Sequence, residues 1–223
     1  MHKIGCFFAL LLLTVVPALS AAEDNQGRGW AVDVKAGTLG VGADLNRSIV
    51  PRVLNLRVGA SFYKYSTTFT DNGIDYKADL KLGAVPIALD VFPFKNWFRL
   101  GGGAVINLTE VDGTGQTSTG SFTIGGQRYT SESIGQLKAV MKANRVAPYF
   151  GMGFNNPIKR SGHLGFFADL GVLYHGTPAV KLTTTKTFPQ LQADIEKQTQ
   201  KVNNDIKDYK LFPVIQLGIS IKF

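Results

Sequence analysis

Few residues of this chain could do covalent chemistry. Two histidines lie in the body of the sequence: His163, two residues from Ser161, and His175, followed by Gly176-Thr177-Pro178. A Ser–His–acid triad is recognised by geometry rather than by order along the chain, so these are formal candidates for a nucleophile and its base. No metal-ligand spacing, phosphate-cradling glycine loop or cofactor motif accompanies them. The expectation is a chain without enzyme activity, cofactor or metal, in which both histidines are turn or rim residues.

A larger group of charged residues recurs at alternate positions among apolar ones. Asp33, Lys35, Asp44, Arg57, Lys77, Asp79, Lys81, Arg99, Asp169 and Lys210 fall on one parity, together with Asn55, Tyr63, Asn107, Tyr149 and Gln216. Successive side chains of a strand point to opposite faces, so these residues belong to one polar face. Two kinds of chemistry are open to it. A charged lining can sort small polar solutes in a narrow conduit. Alternatively, Asp33, Asp79 and Asp169 neutralise Arg57, Arg99 and the lysines, filling the interior with ion pairs.

Strands are needed to position such residues, and the last stretch shows them most clearly. Tyr209, Leu211, Pro213, Ile215, Leu217, Ile219, Ile221 and Phe223 alternate with Lys210, Phe212, Val214, Gln216, Gly218, Ser220 and Lys222. A soluble sheet would bury the apolar face of this ribbon, whereas a membrane barrel turns it to lipid. The same alternation predicts strands over residues 30–36, 39–45, 53–65, 75–92, 97–111, 146–154 and 164–182. Parity flips near Pro86, which predicts a bulge there. It also slips at Gly37-Thr38. Taken as one strand, residues 30–46 bring the count to seven. Divided at that slip they give eight, the even number expected of a bacterial single-chain barrel.

Connections alternate in length. Residues 47–52, 93–96 and 155–162 are short, while 66–74, 112–145 and 183–209 are long. Asp71-Asn72-Gly73 carries hairpin-turn residues, and a small hairpin is predicted over Ser121–Thr130 around Gly125-Gly126. Leu191, Ile195, Val202 and Ile206 recur at helical spacing behind Pro189, so the last long loop holds a short amphipathic helix. It could pack on the rim or the neighbouring loop, or meet a partner. Phe92, Phe94, Trp97 and Phe98 surround one short turn and read as membrane-interface anchors.

The first residues set the compartment. Lys3, the apolar run Phe7–Val16 and the small residues that follow read as a cleaved signal peptide over residues 1–22. Residues 23–223 are then one exported barrel. Cys6 is the only cysteine and lies in that leader, so neither disulfide nor thiolate chemistry is expected. No later stretch approaches eighteen apolar residues, although the chain is 44% hydrophobic with 25 glycines. The formal charge is +8. No basic stripe with interleaved aromatics suggests nucleic acid, and basic loops facing anionic lipopolysaccharide account for the sign.

Several stretches resemble a known family. Gly37-Thr38-Leu39-Gly40, Ala147-Pro148-Tyr149-Phe150-Gly151-Met152-Gly153-Phe154 and Gly165-Phe166-Phe167-Ala168-Asp169-Leu170-Gly171-Val172-Leu173-Tyr174 are similar to the carbapenem-resistance-associated outer-membrane proteins. The helical loop followed by Phe212-Pro213-Val214 fits the same pattern. The likeness spans most of the chain from residue 37 onward and extends more distantly to small barrels of the OmpW and OmpA kind. It implies an eight-stranded all-β antiparallel outer-membrane barrel that admits ornithine and other small amino acids. No substrate residue is carried over, and Arg57, Lys77, Lys81 and Arg99 suit a cationic solute poorly.

The reading is a monomeric outer-membrane barrel, with a narrow channel for small polar solutes as its leading function. Asp33, Arg57, Lys77, Asp79, Lys81, Arg99, Tyr149 and Asp169 would line its pathway or form its plug. The alternative is a non-conducting structural or surface-interaction barrel whose loops meet lipopolysaccharide or other cells. Phe223 would serve as the signal to the barrel-assembly machinery. A lipid-modifying enzyme is a third class.

Overall fold

The computed structural model describes residues 29–71, 74–95, 97–117, 121–155 and 164–223. The proposed leader, Asn72-Gly73, Ser161 and His163 lie outside the described residues. The elements in order are β1 (Trp30–Gly37), β2 (Gly40–Val50), β3 (Leu54–Asp71), β4 (Ile74–Val91), β5 (Phe98–Asn107), β6 (Glu110–Thr117), β7 (Ser121–Ile124) and β8 (Gln127–Thr130). They are followed by α1 (Ser131–Ile134), β9 (Leu137–Lys142), β10 (Val146–Phe154), β11 (Leu164–Tyr174), β12 (Ala179–Thr184), α2 (Pro189–Ile206) and β13 (Leu211–Lys222).

Eight strands close a barrel in the order β1-β2-β3-β4-β5-β10-β11-β13, and β13 returns to β1 through pairs such as Val32↔Ile221 and Val34↔Ile219. Every neighbouring pair is antiparallel. The division at Gly37-Thr38 is therefore correct: β1 and β2 are a tight hairpin around Thr38-Leu39. Gly40 takes φ +102° there, a conformation that L side chains rarely adopt. A β-carbon at that position would also meet the Phe62 backbone at 2.8 Å.

The outer wall is apolar. Val34, Leu45, Ile87, Phe166 and Leu217 point outward and are exposed. The interleaved side chains are polar and buried, among them Asp33, Asp44, Arg57, Asp90 and Arg99. A closed barrel with an apolar outside and a polar inside spans a membrane without leaving a sheet edge in lipid. No helix among the described residues is long and apolar enough to cross one.

The bulge expected at Pro86 is absent. The β3–β4 ladder skips Val85 and Pro86 but keeps one register from Leu54↔Val91 to Asp71↔Ile74, and β4–β5 keeps one from Ala84↔Asn107 to Val91↔Leu100. What inverts is the surroundings. Beyond the rim opposite the termini, the upper part of β4 leaves β5 and pairs with β6, which pairs with β9, which pairs with β12. Below the rim the inner face of β4 is polar or small and its outer face, with Ile87, Leu89 and Val91, is apolar and exposed. Above it the inner face supports a second core and the outer face meets water.

That second core joins Ile74, Phe122, Ile124, Tyr129, Ile134 and Leu191, flanked by Tyr76, Leu137 and Ile195. It packs the predicted β7–β8 hairpin and the predicted helix, α2, against the sheet. The Tyr129 hydroxyl donates to the Asp194 carboxylate of α2. The Asn203 side chain accepts from the Val180 N–H at 2.7 Å and donates to the Val180 carbonyl at 3.1 Å, so α2 satisfies the free edge of β12.

Candidate functional site

Within the barrel, alternation brings one charge-bearing residue after another to the axis. β1 supplies Asp33 and Lys35, β2 Asp44, β3 Arg57, β4 Asp90, β5 Arg99 and β11 Asp169, and all are buried. Arg99 Nη2 lies 2.7 Å from Asp169 Oδ1 and 2.8 Å from Oδ2, a multidentate pairing. Arg57 reaches Asp90 at 2.9 Å through Nε, Asp169 at 3.2 Å and Asp44 at 3.8 Å through Nη1. Lys35 Nζ donates to Asp44 at 2.6 Å.

Small residues make room for these side chains. A β-carbon at Gly101 would lie 2.6 Å from Asp90 Oδ1, and one at Gly153 would collide with both Arg99 and Asp169. Two aromatic faces complete the packing. The Arg57 guanidinium lies 5.9 Å from the Tyr149 ring centre and that of Arg99 5.6 Å from the Phe167 ring centre.

Asp33, Arg57, Arg99, Tyr149 and Asp169 thus come together as the sequence predicts, with one difference. Asp33 forms no close ion pair, and Arg99 attracts it only at longer range. Its carboxylate makes no short hydrogen bond and lies beside the Ser220 and Asn46 side chains, with Ser220 and Asp44 at the register positions on either side. Four aspartates (Asp33, Asp44, Asp90, Asp169) face three cations (Lys35, Arg57, Arg99) in this cluster. Asp90 is the acid that the sequence reading missed. Its signal was its alternation with Ile87, Leu89 and Val91, obscured by the supposed bulge.

Above the charges lies an apolar layer of Leu39, Ala84, Ala88, Val105, Ala147, Tyr149, Leu173 and Val214, with Phe212 against it. Leu39 enters it from the β1–β2 turn. Thr38 anchors that turn, its hydroxyl donating to the Pro213 carbonyl at 2.9 Å and accepting from the Ile215 N–H at 3.1 Å.

Lys77, Asp79 and Lys81 do not line the lumen. They stand above the rim on the outer face of the sheet, where Lys77 pairs with Asp79 at 3.6 Å and Lys81 with Asp112 at 2.5 Å. The unbroken β4 register is the cause, since odd-numbered residues point outward along its whole length. Asp112, then Glu110, hold the Lys81 ammonium above its usual range, and Lys142 is the main cause of the depressed Glu110 carboxyl.

At the opposite rim, Phe94 and Trp97 are exposed and stack with Phe98 and Phe154 in one aromatic patch. Phe92 is not part of it. It follows Ala88 and Asp90 on the inner parity and is 1% exposed, closing the bottom of the barrel. Phe223 pairs with Trp30 at the seam between the first and last strands. His175 packs edge-on against Phe212. Among the described residues no group of three or more His, Cys, Asp or Glu could hold a metal.

No protein-family model and no curated protein matches the chain. Solved structures do. The crystal structure of Acinetobacter baumannii CarO2 is 24% identical, with a TM-score of 0.59 over 89% of this chain and 100% of that one. Acinetobacter baumannii CarO matches at 24% identity and a TM-score of 0.58 over the same shares. The resemblance read from Ala147–Phe154 and Gly165–Tyr174 is thus met at the level of fold: this chain is a closed, eight-stranded antiparallel β-barrel of the kind seen in CarO.

Proposed function

We propose that the chain is an outer-membrane barrel, exported by the leader at residues 1–22, whose resting lumen is sealed and whose work is done by the sheet and helix on its outer end. The observation that carries this reading is the buried cluster of Arg57, Asp90, Arg99 and Asp169 beneath the apolar layer at Leu39, Val105, Leu173 and Val214. Eight strands enclose a space that side chains can fill, and here charge and hydrocarbon fill it in series. The long connections face outward, the aromatic patch at Phe94, Trp97 and Phe98 sits at the periplasmic interface, and catalysis has no part in the reading. Planar-bilayer recording of the refolded mature chain, with and without ornithine and glutamate, tests it. The expected result is silence from protein shown to be folded. Reproducible steps that fall when Arg57 or Arg99 is replaced would overturn it.

A second reading is a gated channel for small polar solutes such as amino acids. Its support is the run of buried lumenal polar side chains Asp33, Asn46, Gln216 and Ser220, whose polar atoms lack short hydrogen bonds and offer a polar route below the apolar layer. Displacement of the short β1–β2 hairpin would withdraw Leu39 and join that route to the outside.

A further inference from the structure

The outer face of the sheet above the rim is a grid of charges whose rows follow from the strand register. Lys64 stands opposite Lys81, Lys81 opposite Glu110 and Glu110 opposite Lys142, so one row crosses four strands. With neighbouring strands about 4.8 Å apart, Lys64 and Lys142 are separated by roughly 14 Å along it. The next row carries Asp79, Asp112 and Lys181, and the one above that Lys77 and Lys138. Pairing is incomplete. Glu110 is shared by Lys81 and Lys142, and no carboxylate among the described residues lies within ion-pair distance of Lys138 or Lys181.

Directly below the first row the wall turns apolar, with Phe62, Leu108 and Val146 each more than half exposed. A surplus of lysine at the upper border of a lipid-facing wall meets the head-group layer, where basic residues are drawn to anionic lipid. The interleaved Glu110 and Asp112 and the hydroxyl of Thr114 add acceptors that a phosphate does not use but sugar hydroxyls and amides do.

We propose that this face binds the phosphorylated disaccharide head of an outer-leaflet glycolipid, its phosphates on the Lys64–Lys81–Lys142 row and its acyl chains on the wall at Phe62, Leu108 and Val146. The assignment rests on the outer-membrane reading above and names the partner of its outer end. The spread of the row suits two phosphates carried at opposite ends of a disaccharide better than the single phosphate of a glycerophospholipid.

The full mature barrel, refolded in neutral detergent, is titrated with bisphosphorylated lipid A, dephosphorylated lipid A and phosphatidylglycerol, and bound lipid is counted by native mass spectrometry. Bisphosphorylated lipid A is expected to bind most tightly, and Lys64→Gln/Lys81→Gln/Lys142→Gln to weaken it by more than about tenfold. The lower-rim variant Arg52→Gln/Lys222→Gln is expected to leave binding unchanged. Equal binding by the triple variant, or of dephosphorylated lipid A, would overturn the site, and equal binding of phosphatidylglycerol would overturn the choice of glycolipid. Conductance of the same preparation separates the readings: a conducting barrel that still selects lipid A defeats the sealed lumen alone. A silent barrel without that selection defeats this site alone.

Discussion

Arg57 and Arg99, on β3 and β5, share the same two carboxylates. Asp169 lies 3.2 Å from Arg57 and 2.7 Å from Arg99, while Asp90 lies 2.9 Å from Arg57 and 3.8 Å from Arg99. Two buried guanidiniums can approach one another in a low-dielectric interior only if each acid neutralises both. The four side chains are one unit, and changes to them will not be additive.

Removing one member of that unit strands the others. Asp169→Asn is expected to cost about 3–5 kcal/mol, because both arginines lose a buried counter-charge. The check is the urea midpoint of the refolded barrel. Arg99→Met combined with Asp169→Asn should cost less than the two single changes together.

Asp33 behaves in the opposite way. Its carboxylate is buried beside Ser220 and Asn46 without a close ion pair or a short hydrogen bond, so charge at this position is a liability. Asp33→Asn is expected to leave stability unchanged or to raise it by about 1–2 kcal/mol, in the same urea series. A loss as large as that of Asp169→Asn would show that Asp33 carries part of the network.

The Asn203 side chain bonds both backbone groups of Val180 at the edge of β12. Asn203→Ala should destabilise that edge by about 1–2 kcal/mol without loosening the barrel. Amide exchange at Val180 is expected to quicken by roughly tenfold or more, with β10 and β11 unchanged.

Tyr129 and Asp194 supply a pH prediction. The hydrogen bond to the Asp194 carboxylate, followed by burial, raises the Tyr129 phenol above the ordinary tyrosine range. A raised folded value means that the neutral donor stabilises the contact below the ordinary tyrosine pKa. That contribution is lost as pH rises through the raised value. Ultraviolet titration should show a late-ionising tyrosine, and Asp194→Asn should bring it back down.

The lumenal site was partly legible. Asp33, Arg57, Arg99, Tyr149 and Asp169 reach the interior because alternation in an unbroken strand leaves them no other place. Alternation alone puts Lys77, Asp79 and Lys81 in the same interior if polar residues mark the inside everywhere. Above the rim that rule reverses, since the outer face meets water and Ile74 and Tyr76 on the inner face meet α2 and the β7–β8 hairpin. The Pro86 parity change recorded this reversal, not a bulge. Phe92 misled for a related reason, because an aromatic beside a turn resembles an anchor whichever way it points.

The sequence by itself determined the alternation, and with it most of the strands, the phase slip at Gly37-Thr38 and the helix behind Pro189. These are local properties: a two-residue period, a turn glycine and a helical stripe each act over a few neighbours. Only the tertiary structure decided that Asp90 joins Asp169 between the two arginines, that Leu39 folds over them, and that Asn203 closes the edge of β12. Those contacts link residues far apart in the chain, and their geometry depends on strand register and on where the apolar outer wall ends, which no single stretch of sequence contains.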